Sequence, residues 1–380
     1  MEAIDRLKLL TAQMHLEPAE DAHCSGLSAR KRESIFVSDA ILPNGTRIAL
    51  LKTQLTSVCE RNCFYCPFRS GRDFRRATFS PEEFAHTFLA LYKARIAEGI
   101  FLSSGINNGG IHTQDKLIET ADILRNKLGY TGYLHLKIMP GADKTQVEFA
   151  MRLADRVSIN LEAPNTQRLQ ALAPLKKFQE ELLQPMHWVD EIRKNQTAHK
   201  SWKQRWPSLV TQFVVGAAGE NDNELLTTTQ YLYRHIDIRR AYFSAFTPIE
   251  NTPLENHIPT DPLREARLYE ASFLIRDYGF DLEELPFDQS GNLPLNTDPK
   301  LAWARLNLLS CPIDLNLADR QELLRVPGIG LKSATAILAL RRQGKLHNLE
   351  SLGKLGINTK RAAPFILLDG RRPNYQFSFL

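Results

Sequence analysis

A chain of 380 residues with 43% hydrophobic and 24% charged residues has room for one large domain and one or two small ones, and its composition excludes fibrous and disordered classes. No apolar run approaches the roughly 20 residues of a membrane helix, and MEAIDRLKLL at the start lacks the pattern of a secretory signal, so the cytoplasm is expected and a membrane is not. The net charge of +5 is uneven: residues 311–380 hold 11 Lys and Arg against 5 Asp and Glu, which fits either a polyanionic partner or a solvated face.

In chain order, the first expected element is a helix over residues 4–14, followed by a polar stretch. Short β-branched or apolar runs then alternate with helix-like segments. The runs are RIALLKTQL (47–55), IFLSSG (100–105), YLHLKI (133–138), RVSINLE (156–162), LVTQFVVGAAG (209–219) and AYFSAF (241–246). Helices are expected over 81–97, 114–128, 144–153 and 223–234, with an elaborated helical crossover over 176–202. Ser80-Pro81-Glu82-Glu83 marks one helix start, with a capping hydroxyl, a proline in the first turn and a glutamate three residues after the cap. Six strands separated by helices require parallel pairing, hence an α/β sheet or partly closed barrel. After a helix ending near residue 278, a loop rich in Pro, Gly, Asn and Asp divides the chain. The expected parts are an N-terminal helical extension (1–44), a β/α core (45–283), a linker (284–299) and a C-terminal module (300–380).

The strongest chemical signal is Cys59-Glu-Arg-Asn-Cys63-Phe-Tyr-Cys66, in the loop after the first strand of the β/α series. Three thiolates on one short loop can hold three irons of a [4Fe-4S] cubane, leaving the fourth iron to a small chelator. S-adenosylmethionine offers the amine and carboxylate for that position, and an electron passed into its sulfonium yields a deoxyadenosyl radical. A structural zinc site is the other reading; it would need a fourth protein ligand, for which only the distant Cys24 or Cys311 is available. Two spare cysteines are too few for a second all-cysteine cluster. Asp21, His23 and Gly26 form a cobalamin-type DxHxxG with no α/β domain around it, and the match is read as chance.

CxxxCxxC after the first strand of a β/α array resembles the radical SAM superfamily. The resemblance implies that Ser103, Ser104 and Gly105, at the second strand's tip, meet the methionine amine. It gives Ser158, Asn160 and Glu162 of the fourth strand to the ribose and carboxylate; alternation places the three on one face. It sets Gly216, in the turn VGAAGE, and Tyr65 beside the adenine. His135 and Lys137 on the third strand face either the pocket or the barrel interior and surface. No residue is assigned to catalysis on the substrate.

Residues 313–334 read as helix, tight turn and helix, with Gly328 and Gly330 allowing a sharp turn and a close approach, and with Lys332 and Ser333 at the next helix start. VPGIG resembles the helix-hairpin-helix motif, which grips the DNA backbone. Residues 348–368, with Gly353 and Gly356, read as a second, degenerate hairpin. The order of parts, with LTSVCERNCFYCPFR, RATFSPEEFA, GIFLSSGI and YLHLKIMPGAD, resembles a group of radical SAM proteins linked to DNA modification or repair and found with a uracil-DNA-glycosylase-like partner.

The expected fold is therefore α/β: a partial (β/α)6 TIM-type barrel of the radical SAM kind, followed by a small all-α helix-hairpin-helix domain. The expected cofactors are a [4Fe-4S] cluster and S-adenosylmethionine, and the expected partners are DNA, a uracil-DNA-glycosylase-like protein and an electron donor. A radical enzyme acting on RNA or nucleotides, and a non-catalytic metal-stabilised DNA-binding protein, are the alternatives.

Overall fold

The computed structural model describes residues 2–12, 14, 31–32, 35–42 and 45–374. Asp21, His23, Cys24 and Gly26 lie outside the described residues. Two compact units are present, residues 1–220 with 231–261 and residues 221–230 with 262–380. No helix among the described residues is long and apolar enough to cross a membrane.

The first unit opens with α1 (Ala3–Thr11), β1 (Lys31–Arg32), β2 (Ile35–Ile41) and β3 (Arg47–Gln54). The β/α series continues through α2 (Pro81–Lys93), β4 (Gly99–Ser103), α3 (Gly110–Asp122), β5 (Tyr133–Lys137), α4 (Lys144–Leu153) and β6 (Arg156–Ser158). It ends with α5 (Thr166–Leu172), α6 (Gln184–Asn195), β7 (Ser208–Val215), α7 (Asp222–His235), whose residues 222–230 belong to the second unit, and β8 (Arg240–Ala245). The eight strands form one sheet in sequence order. From β3 to β8 every pairing is parallel, giving the curled half-barrel of an α/β fold. Helices cover such a sheet, so its strands are buried on both faces: β4 is buried at every residue and β7 from Leu209 to Val215.

Local chemistry sets the helix starts. Ser80 Oγ accepts from the Glu83 amide and Pro81 opens α2; Asp143 and Gln146 make a reciprocal capping box at α4. Two expectations are corrected. The extension over 1–44 is not wholly helical, because IFVSDAI forms β2 and pairs antiparallel with β3, Val37 opposite Leu51. That pairing covers an edge of the parallel sheet, a demand of tertiary structure that the short run does not announce. The helix expected over 114–128 starts four residues earlier and widens into a π-turn at Ile123–Lys127. There the Arg125 guanidinium donates to the Tyr130 and Gly132 carbonyls and pairs with buried Asp155 at 2.9 Å.

The second unit contains α8 (Pro262–Asp277), α9 (Pro299–Asn307), β9 (Ile313–Asp314), α10 (Arg320–Arg325), α11 (Leu331–Leu340), α12 (Leu349–Lys354), α13 (Thr359–Ala362) and β10 (Ile366–Leu367). The stretch 284–299, expected as a linker, lies inside this unit between α8 and α9. Leu315, Leu323, Leu324, Val326, Ile329 and Ile337 are in its core. The module is not all-α: β9 and β10 pair in parallel, Ile313 opposite Ile366, a ladder too short to leave a sequence pattern.

Candidate active site

At the C-terminal ends of the parallel strands, one cavity of the first unit gathers side chains from across the chain. β3 contributes Gln54, the tip of β4 Ser103, Ser104 and Gly105, β5 Lys137, the segment after β6 Asn160 and Glu162, β7 Gln212 and Val214, and β8 Ser244 and Ala245. Cys59, Cys63, Tyr65 and Cys66 complete the wall from the loop between β3 and α2.

That loop is fixed by main-chain and arginine contacts. Glu60 N donates to the Ile106 carbonyl at 2.8 Å and Phe64 N to the Leu172 carbonyl at 2.9 Å. Arg76 donates to the carbonyls of Ser57, Phe68, Arg69 and Arg72, closing the loop behind the cysteines. Arg61 reaches Glu181 at 2.6 Å and the Leu175 carbonyl. At the tip of β4, a Cβ on Gly105 would lie 2.3 Å from the Val58 carbonyl oxygen, so glycine there lets strand and cysteine loop touch.

Burial pushes the Cys63 thiol up, and burial with the neighbouring Cys63 does the same to Cys66. The Phe68 amide donates to Cys66 Sγ at 3.4 Å. Lys176 reaches Glu162 at 2.9 Å, with side chains 9% and 4% exposed, and comes within 3.5 Å of the Tyr65 hydroxyl. Burial would lower this ammonium, but Cys63 and Glu162 hold it above the usual lysine range. Burial would likewise raise Glu162, but Lys176 and Lys137 keep its carboxyl below the usual value. Burial pushes the Tyr65 phenol up, and Glu162 adds to it.

Of the residues singled out in the sequence, Cys59, Cys63, Tyr65, Cys66, Ser103, Ser104, Gly105, Asn160 and Glu162 are brought together on this wall. Ser158 and Gly216 are not on it. Ser158 ends β6, buried, its hydroxyl without a hydrogen-bond partner. Glu162 has a φ of +65°, a left-handed conformation that costs a non-glycine residue roughly 1–3 kcal/mol and breaks the alternation expected from Ser158 onward. Gly216 has a φ of +92°, and a Cβ on it would meet the Thr260 hydroxyl at 2.0 Å; its amide donates to Glu220. Lys137 lines the cavity, whereas His135 is buried against Phe101. Lys176, Gln54 and Gln212 were not foreseen. A polar residue closing a strand just before the cysteine loop could have pointed to Gln54, but nothing in the pattern around Lys176 distinguishes it.

In the second unit, α10 and α11 flank the turn 326–330. Gly328 has a φ of +85°, and a Cβ on it would lie 2.7 Å from the Asn358 carbonyl oxygen. Gly330 is extended and caps α11, with room for a Cβ at ordinary contact from the Tyr278 hydroxyl. Lys332 is exposed and Ser333 half-buried on the first turn of α11. Gly353 lies within α12, and Gly356 follows that helix with a φ of +71°.

Residues 53–232 match the family model described as the radical SAM superfamily. This stretch is a radical SAM domain. Enzymes of the superfamily use a [4Fe-4S] cluster and S-adenosylmethionine, and the domain's residues fit both: three cysteines of one loop share a cavity with Gln54, whose buried Oε1 lacks a hydrogen-bond partner. Among the described residues no three His, Cys, Asp or Glu side chains are placed to hold a single metal ion; a cubane takes one thiolate per iron. No curated protein matches the chain. Solved structures similar to it include HydG, a maturase of the [FeFe]-hydrogenase (10% identity, 60% of this chain and 49% of that one, TM-score 0.47). Methylornithine synthase is similar at 16% identity over 61% of this chain and 63% of that one, with a TM-score of 0.46. A radical SAM methyltransferase from Sphaerobacter thermophilus is similar at 14% identity over 64% and 70%, with a TM-score of 0.44. The chain thus covers less than two thirds of the first two of these proteins.

Proposed function

We propose that the protein is a radical S-adenosylmethionine enzyme that modifies or repairs DNA. The observation that carries the reading is the convergence of Cys59, Cys63 and Cys66 with polar strand ends on one cavity. Cys59, Cys63 and Cys66 would hold a [4Fe-4S] cluster, which together with bound S-adenosylmethionine would supply reductive cleavage of the sulfonium to methionine and a 5′-deoxyadenosyl radical able to take hydrogen from a C–H bond.

The chain's own residues hold and screen that chemistry. The three thiolates would ligate the cluster, Arg76 and Arg61 tie their loop to the Ser57 carbonyl and to Glu181, and the Phe68 amide donates to the sulfur of Cys66. Ser103 and Ser104 at the tip of β4 are the acceptors for a ligand amine, Asn160 and Glu162 the partners for ribose hydroxyls, and the Tyr65 ring a surface for adenine. Ile138, Met139, Leu182 and Phe246 give the same cavity apolar walls.

The DNA half of the reading rests on the second unit read as a helix-hairpin-helix domain. Gly328 at positive φ and the opening amides of α11 make a seat for phosphate, helped by Lys332 and Ser333. A base would have to leave the stack to be reached by a radical held in a cavity. A low-potential electron donor and a uracil-DNA-glycosylase-like protein are the proposed partners.

The test is anaerobic reconstitution with iron and sulfide, followed by deoxyadenosine measurement under reductant with and without damaged or uracil-containing duplex. Stimulation by DNA is expected. Stimulation by RNA alone would move the substrate, and absence of cleavage from a fully loaded protein would overturn the enzymatic reading.

A further inference from the structure

Lys300 is a charged side chain buried in the second unit and is not one of the groups that the proposed radical chemistry uses. It stands in the first turn of α9, 9% exposed. Its Nζ donates to the Ile329 carbonyl at 2.6 Å and lies 4.7 Å from the centre of the Tyr278 ring. Ile329 is the residue between Gly328 and Gly330, itself buried, and its amide donates to the Val326 carbonyl. The ammonium therefore grips the middle of the turn, one residue before the cap of α11. A flexible turn needs no buried ammonium; one that must hold a carbonyl on its inner side does, because the amides that follow are then presented together.

We propose that Lys300 is the positioning residue of this turn, holding the Ile329 carbonyl inward so that the amides opening α11 face a phosphate. The role rests on the reading of the turn as a DNA contact. The groups that face Lys300 are Asp298 at the cap of its own helix, Arg361 from α13, Arg325 from α10 and the Tyr278 ring beyond α8. Asp298 is itself paired with Arg361 at 2.5 Å. Burial, with Arg361 and Arg325 adding to it against Asp298, pushes the ammonium down to about 7.

Two consequences follow with opposite signs. Between about 7 and the ordinary value of 10.5 the unfolded chain keeps a proton that the folded unit has released, so stability of the unit rises with pH across that window. The charge on the hydrogen bond to Ile329 is lost over the same window, so phosphate affinity falls. A residue that only filled space would give the same rise in stability and leave phosphate affinity flat across the window.

The experiment is anisotropy of a short labelled DNA duplex with the full chain, from about pH 6 to about pH 9, beside a thermal melt. Wild-type affinity should fall by up to roughly tenfold per pH unit above about 7, in proportion to the charged fraction. Lys300→Arg keeps the charge at every pH and should bind tightly with a flat profile. Lys300→Met removes a buried charge at little cost in volume, and should melt no lower than wild type while binding weakly and without that pH slope. A Lys300→Met protein with wild-type affinity and slope would overturn the proposal. If wild type binds no duplex at any pH, the DNA reading fails, and hydrogen exchange at the amides of residues 330–333 decides the role of Lys300. Faster exchange in Lys300→Met than in Lys300→Arg supports positioning, and equal protection in both refutes it.

Discussion

The cavity of the first unit and the turn of the second are built in opposite ways. The cavity takes side chains from Gln54 to Ala245, delivered by several strand ends and the loops that follow them, so no short segment contains it and any change in sheet register would scatter it. The turn is complete within residues 326–333, and its conformation depends on one glycine at positive φ and one buried ammonium beneath it. A dispersed site is held by the packing of the whole sheet and tolerates local substitutions on its walls. A local turn has no such reserve, because a Cβ at Gly328 meets a main-chain oxygen that cannot move aside.

This contrast can be broken experimentally. The largest effect is expected from replacing Cys59, Cys63 and Cys66 with alanine, which should abolish iron loading and deoxyadenosine formation while leaving duplex affinity at the wild-type level; loss of both functions would mean that the two units do not act as separate sites. Next comes Lys176→Met, which strands the buried Glu162 carboxylate and should lower unfolding free energy by about 3 kcal/mol in urea titrations of the apoprotein. Lys176→Arg should recover much of that. Because the folded Glu162 carboxyl is held below its ordinary value of 4.5, its contribution is present at neutral pH and lost as pH falls through the folded value. Glu162→Gln should therefore flatten the acid limb of the stability profile.

Gly328→Val should reduce duplex affinity by at least roughly tenfold, from positive-φ strain together with the clash against Asn358. Gly330→Ala should stay within about twofold, since the residue is extended and has room. Equal losses at the two glycines would contradict the strain argument. The smallest effect is Ser80→Ala, which removes the cap of α2 and should cost about 1 kcal/mol in thermal or denaturant unfolding, without changing iron content.

The parts that were legible in the sequence are those whose signal is local. Six runs of apolar residues separated by helical segments are β3 to β8, and Ser80-Pro81 starts α2 as its chemistry requires. Cys59, Cys63 and Cys66 announce a metal or cluster site through their spacing and their place in the loop after β3. A strand's period of two put Ser158, Asn160 and Glu162 on one face, but only Asn160 and Glu162 line the cavity. Beyond β6 that rule stops, and Glu162 reaches the cavity by a left-handed kink that no alternation foretells.

By itself, then, the sequence determined the order of strands and helices, the helix caps, the cysteine loop and the need for glycine at residue 328, because each depends on residues within a few positions of one another. Only the tertiary structure decided that β2 would cover the sheet edge, that Lys176 would neutralise Glu162 beside the thiols, and that Lys300 would lie under the turn at Ile329. Those partners are 14 to 29 residues apart or belong to separate strands. Buried charges require a counter-charge or a carbonyl, and packing alone selects which distant side chain meets that demand.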